Sequence, residues 1–193
     1  MTAWVFAVGR MLGLGTAAGT RPSLTLAVIG VMYKLEWGVG LNPTFRFLGY
    51  WAAILVFVVM AIVESSFDKI SKLDRLQGRL TMPYRVVVGG VAGACTISLG
   101  WWGILVGAVV GGLASWFALY AKQLTRPKTV PSDAVLNLMG LWEDLAALAG
   151  AVLTMLFSLV GYGVAGFTVF MYSSTRYRRR AKYRNMRRPG RRT

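Results

Sequence analysis

The sequence predicts an all-α fold, a polytopic transmembrane helical bundle, on three observations. Apolar residues make up 55% of 193 residues and charged residues only 15%. Apolar runs near span length recur along the chain, and short Gly, Pro or charged stretches separate them, which leaves too little polar surface to cover a soluble domain. The length has room for about five or six helices with short connections. One membrane domain over residues 1–175 and a basic, disordered C-terminal tail over 176–193 are therefore expected.

The first apolar region, Ala3 to Tyr33, is interrupted by Gly19, Thr20, Arg21 and Pro22. Pro22 suits the first turn of a second helix. At about 1.5 Å per residue the two pieces reach roughly 24 and 20 Å, each short of the ~30 Å hydrocarbon core, so a hairpin or a broken, re-entrant pair is predicted. Apolar residues begin almost at Met1 with no basic stretch before them, so this segment is expected to remain as helix rather than leave as a signal peptide.

After Asn42, Pro43 and Arg46, Leu48 to Val63 reads as the cleanest single span and leads into Glu64, Ser65, Ser66, Phe67, Asp68 and Lys69. The stretch to Arg85, with four further bases or acids ahead of Pro83, reads as an interfacial loop or short amphipathic helix. Val86 to Gln123 reads as a helical hairpin turning near Gly100, Trp101 and Trp102, where indoles suit the headgroup level. Its second arm carries Gly107-x-x-x-Gly111, a face for close helix packing or for a dimer.

Pro127 and Pro131 mark a polar connection with a helix start at Ser132 or Asp133, and Glu143 and Asp144 then open the last apolar run, Leu145 to Tyr172. That run is expected to cross once with tilt, or to bend at Gly161, Gly163 and Gly166. A single crossing puts the C-terminal tail opposite the basic loops after Glu64 and Lys122, in conflict with the positive-inside rule. The tail is taken to govern, and the expected location is a cell membrane with the tail cytoplasmic. Gly15-x-Ala17 with Ser23-Leu24 matches Gly90-x-Ala92 with Ser98-Leu99 at an offset of 75, which permits an inverted repeat with a site at the interface of the two halves.

The net charge is +15, and ten of the 22 bases lie between Arg176 and Arg192 with no acid among them. Arg176, Arg178, Arg179, Arg180, Lys182, Arg184, Arg187 and Arg188 are expected to meet anionic lipid headgroups. Nucleic acid is disfavoured, because only Tyr177 and Tyr183 are there to stack on bases. Cys95 is the sole cysteine and there is no histidine, which excludes disulfide frameworks, Cys or His metal sites and Ser/His or Cys/His catalytic pairs. No catalytic residue, metal site or cofactor is assigned.

The candidate polar site is Arg21, Glu64, Asp68, Lys69, Arg126, Glu143 and Asp144. Arg21 either snorkels at a hairpin turn or, with the amides of the Pro22 helix, makes a small anion site. Glu64 and Asp68 share a helical face, and they either cap it or titrate. Glu143 and Asp144 cap the last helix against its dipole, or join the Glu64/Asp68 group with Arg126 as counter-charge. Gly15-x-x-Ala18-Gly19-x-Arg21-Pro22, Glu64-x-x-x-Asp68-Lys69-x-x-x-x-Asp74, Lys122-x-x-x-Arg126 and Trp142-Glu143-Asp144 together resemble the bacterial integral membrane family catalogued as domain of unknown function 4126, over roughly residues 8 to 170. The resemblance implies a multi-pass protein of a bacterial inner membrane and points to these polar groups without supplying a reaction. Three activities follow: a small transporter or channel with an intramembrane polar site; a non-catalytic scaffold or subunit that forms homo- or hetero-oligomers through glycine-rich helix faces; and a metal-dependent lipid-phosphate enzyme whose acids hold Mg2+.

Overall fold

Small residues decide which helices meet. In the computed structural model, which describes residues 2–37, 40–67, 81–98, 100–125 and 133–186, helix α1 (Thr2–Thr20) is the central post, packed on α2 (Pro22–Lys34), α4 (Met82–Cys95), α5 (Gly100–Thr125), α6 (Asp133–Leu156) and α7 (Val160–Met186). Its glycines face backbone. Gly15 lies on Gly111, Gly19 on Ser115, and Gly9 on Ser158 and Gly161, so that an added Cβ would collide with main-chain atoms at each. Between helices in a bilayer the attraction comes from such close contact, since lipid is as apolar as leucine.

The α4–α5 hairpin is built the same way, Gly89 and Gly93 facing Gly107 and Gly111. The Gly107-x-x-x-Gly111 face is therefore consumed inside the chain as helix packing and is not free for a dimer. The hairpin turns at Gly100, whose φ of +67° suits glycine, and Trp101 and Trp102 stack there with ring centroids 3.9 Å apart, both exposed. At the same end a 3-10 segment, Pro43–Gly49, is tied to the hairpin by Asn42. Its backbone N–H donates to the Cys95 carbonyl at 2.7 Å and its side chain donates to the Ile97 carbonyl at 2.9 Å. Helix α3 (Trp51–Phe67) follows after a 66° bend and leans on α2, its outer face apolar and exposed.

Among the described residues two helices, Gly100–Thr125 and the Leu138–Leu156 part of α6, are each long and apolar enough to cross a membrane, and a third span counts if the bent Pro43–Ser66 pair is taken together. The break expected at Arg21 divides the first apolar run into helices of 19 and 13 residues.

The second half departs from expectation at three points. Glu143 and Asp144 do not start a helix: α6 has already begun at Asp133, since Ala134, Leu136, Leu138 and Met139 are strong helix formers and propagation from an existing turn needs no new nucleus. The last apolar run is not one helix but two, interrupted at 157–159 between α6 and α7, upstream of the glycines where a bend is expected. Helix α7 also continues through Arg176 to Met186 where a disordered tail is expected; Arg, Lys and Ala extend a formed helix readily, and cations near its C-terminus oppose the dipole favourably.

The break at 157–159 turns the chain back. Arg179 of α7 donates to the Leu124 carbonyl near the end of α5 at 2.5 Å, and Tyr172 stands 5.3 Å from Phe117 and 6.0 Å from Tyr120 between ring centroids. The basic end of α7 thus lies on the same side as the end of α5, and so as the start of α4 antiparallel to it. The expected single crossing is corrected: the last apolar run goes out along α6 and returns along α7.

A polar cluster at the helix break

Four helices bring charge to one buried place beside the α1–α2 break. Pro22 has no N–H to donate and interrupts the α1 hydrogen bonding, leaving carbonyls at its end without helical partners. Arg21 stands at the break with φ −141° and ψ 82°. Its N–H donates to Ala17 at 2.9 Å, and its carbonyl accepts from the Thr25 N–H at 3.1 Å and the Thr25 hydroxyl at 2.9 Å. The side chain is only 2% exposed, forms an ion pair with Asp144 of α6 through Nε, and directs Nη2 to the Gly140 carbonyl at 3.5 Å. Arg21 is therefore buried at the break rather than snorkelled to the headgroups.

Arg85 of α4 approaches the same break from the other side. Its Nη1 donates to the carbonyls of Gly19, at 3.1 Å, and Thr20, at 2.5 Å, which are the acceptors the break leaves over. Nη2 meets Glu64 Oε1 of α3 at 2.6 Å, Nε reaches the Thr81 hydroxyl at 3.2 Å, and the Arg85 carbonyl accepts from Ser115 at 2.7 Å. Arg85 does not stand out in the sequence, where it reads as the end of a surface segment. A readable signal existed: it falls just inside a proline-started apolar helix, as Arg21 falls just before one.

The acids divide between partners. Asp144 takes Arg21 and accepts from Ser65 of α3 at 3.1 Å, while its neighbour Glu143 pairs with Lys122 of α5 at 2.7 Å. Consecutive helical residues point roughly 100° apart, so one step of sequence serves two different helices. Arg126, proposed as their counter-charge, lies outside the described residues, and Lys122, a turn earlier, holds Glu143. Asp68 and Lys69 also lie outside them. Thus Arg21, Glu64 and Asp144 come together, Ser65 and Arg85 join them, and Glu143 faces away toward α5.

With the chain divided near residue 80, both inner pairs cross between halves: Arg21 of the first with Asp144 of the second, and Glu64 of the first with Arg85 of the second. The exchange is reciprocal, although its sequence separations, 64 for the bases and 80 for the acids, differ from the 75 of the Gly/Ala match.

Beside the cluster a half-open cavity of about 370 Å³ lies between α2, α3 and α6. Arg21, Glu64, Ser65 and Asp144 form its polar floor; Leu24, Val58, Ile62, Leu141, Leu145 and Leu148 supply apolar walls. Among the described residues no group of three or more His, Cys, Asp or Glu gathers to hold a metal ion, so the Mg2+ reading has no donor set there.

No curated protein and no solved structure matches the chain. A family model described as a domain of unknown function (DUF4126) matches residues 8–177, most of the chain including every residue of the polar cluster, and the protein belongs to that family.

Proposed function

We propose that the protein is a small membrane transporter whose solute site is the cavity floored by Arg21, Glu64 and Asp144. The observation that carries this is a guanidinium 2% exposed, ion-paired on the wall of a cavity of about 370 Å³ at a helix break. Burying a charge still costs several kcal/mol after relaxation, and well-packed apolar residues serve stability as well or better. Ionisable groups inside membrane segments therefore mark solute or ion paths by default. Broken helices with breaks at a site between two halves suit the same reading, because the freed carbonyls and amides are what a solute meets.

The basic end of α7, from Arg176 to Arg184, faces the cytoplasm in this proposal and rests on anionic headgroups, and the same role is proposed for Arg187 and Arg188, which lie outside the described residues. Its support is that the described ends of α5 and α7 and the start of α4 share one side, and that the bases following Glu64 and Lys122 in the sequence adjoin those ends, as the positive-inside rule asks of a cytoplasmic face.

The test is uptake. Proteoliposomes are offered a panel of small organic cations, organic anions and inorganic anions, and retained solute is measured after rapid filtration. Wild type is expected to accumulate at least one, and Arg21→Ala and Glu64→Gln to lose it while still folding. A folded wild type that retains none above protein-free vesicles removes the transport reading.

A second reading, a non-catalytic subunit of a larger membrane complex, is favoured by one face of α7. Gly163, Gly166, Phe167 and Phe170 recur at i, i+3, i+4 and i+7; nothing comes within 4 Å of a Cβ built on either glycine, and both phenylalanines are exposed. Crosslinking through cysteines placed at Gly163 and Gly166 distinguishes an oligomer from a monomer.

A further inference from the structure

The cavity is a cleft with a direction. Helices α3 and α6 both pack on α2 but make far less contact with each other, so a gap stands between them with α2 as its floor. Its rim is large and apolar: Val58 and Ile62 on α3, and Leu141, Leu145 and Leu148 on α6, are 40–62% exposed. A rim of that kind is solvated by acyl chains rather than water, so the cleft opens sideways into the hydrocarbon. Whatever enters must bring an apolar body.

The floor decides the sign of its charge. The Asp144 side chain is 29% exposed and the Glu64 side chain 10%, whereas Arg21 lies behind Asp144 at 2%. Asp144 Oδ1 is buried against Arg21, so a ligand coming from the lipid side would be received by Oδ2, which accepts from the Ser65 hydroxyl. An anionic headgroup would have to displace Asp144 to reach Arg21. A bare inorganic cation would gain nothing from five apolar rim residues. A cavity of about 370 Å³ suits a small organic molecule.

We infer that the α3–α6 cleft is a lateral site for a lipophilic organic cation, an amine or quaternary ammonium with an apolar body, received by Asp144 with Glu64 behind it. The inference deepens the transport reading and rests on the same cavity being a solute site, but binding is read separately from flux.

The experiment is equilibrium binding of radiolabelled tetraphenylphosphonium to the purified full chain in neutral detergent, with dodecyltrimethylammonium and dodecyl phosphate as competitors. Saturable binding displaced by the ammonium and not by the phosphate is expected, with at least a tenfold loss in Asp144→Asn. Leu145→Trp fills the rim from a lipid-exposed position without touching a charge, and it should lose binding by a similar factor even if Asp144→Asn fails to fold. No saturable binding to folded wild type, displacement by dodecyl phosphate alone, or full binding in folded Leu145→Trp would each overturn the inference. Vesicle uptake of an anion without tetraphenylphosphonium binding sinks this inference and leaves transport standing; binding without uptake of any solute does the reverse.

Discussion

The Arg85–Glu64 and Arg21–Asp144 pairs join the same two chemistries at one helix break, yet they are built differently. Arg85 is closed in on every side: it caps two carbonyls of α1, holds Glu64, reaches Thr81, and its own carbonyl is held by Ser115. Arg21 faces a carboxylate that is 29% exposed on a cavity wall. Glu64 also lines that cavity, but its side chain is only 10% exposed; the pair with the more buried acid holds the break together, whereas the Asp144 pair has room to exchange partners. The difference teaches that burial of the cation alone does not separate a structural arginine from one placed for ligand; the accessibility of its acid does.

The largest effect that would break this comparison is at Arg85. Arg85→Leu strands Glu64 and two α1 carbonyls together, and a loss of about 3–5 kcal/mol is expected, read as thermal unfolding by tryptophan fluorescence in detergent. An intact Arg85→Leu protein would mean that the pair is not the clamp described. Arg21→Leu should cost less, about 1–2 kcal/mol, because the Ser65 hydroxyl still donates to the Asp144 it leaves behind, and it should nonetheless abolish uptake. Equal melting losses at the two sites would erase the distinction.

Lys122→Leu sharpens the middle of the scale. The side chain of its partner Glu143 is 18% exposed, between Glu64 and Asp144, and a loss of about 2–3 kcal/mol is expected with uptake retained. The smallest change belongs to the basic end of α7. Arg178→Gln with Arg180→Gln should leave melting within about 0.5 kcal/mol, while co-sedimentation of the detergent-purified protein with anionic vesicles falls and neutral vesicles show no difference.

The family match covers residues 8–177, and the described parts of the motifs quoted from the sequence fall at the α1–α2 break and in α3, α5 and α6. Arg21, Glu64 and Asp144 stood out in sequence because charge inside apolar runs is rare. Arg85 did not, since the bases before it made it look like the end of a surface segment. Glu143 and Asp144 looked like one helix cap because two adjacent acids before an apolar run usually are one; inside a continuous helix they diverge to Lys122 and Arg21.

Composition and breaks by themselves determined that the chain is helical, that it belongs with lipid, that its first apolar region divides at Gly19–Pro22 and that the α4–α5 hairpin turns near Gly100, because hydrophobicity, proline geometry and glycine freedom act over a few residues. The tertiary structure decided which glycines were spent on internal contacts, which acid met which base, and that α7 turns back beside α5. Those outcomes depend on distances between residues remote in the chain, and a local pattern carries no record of them: Asp144 and Arg21 are neighbours only because α1, α2 and α6 pack closely enough to bring them together.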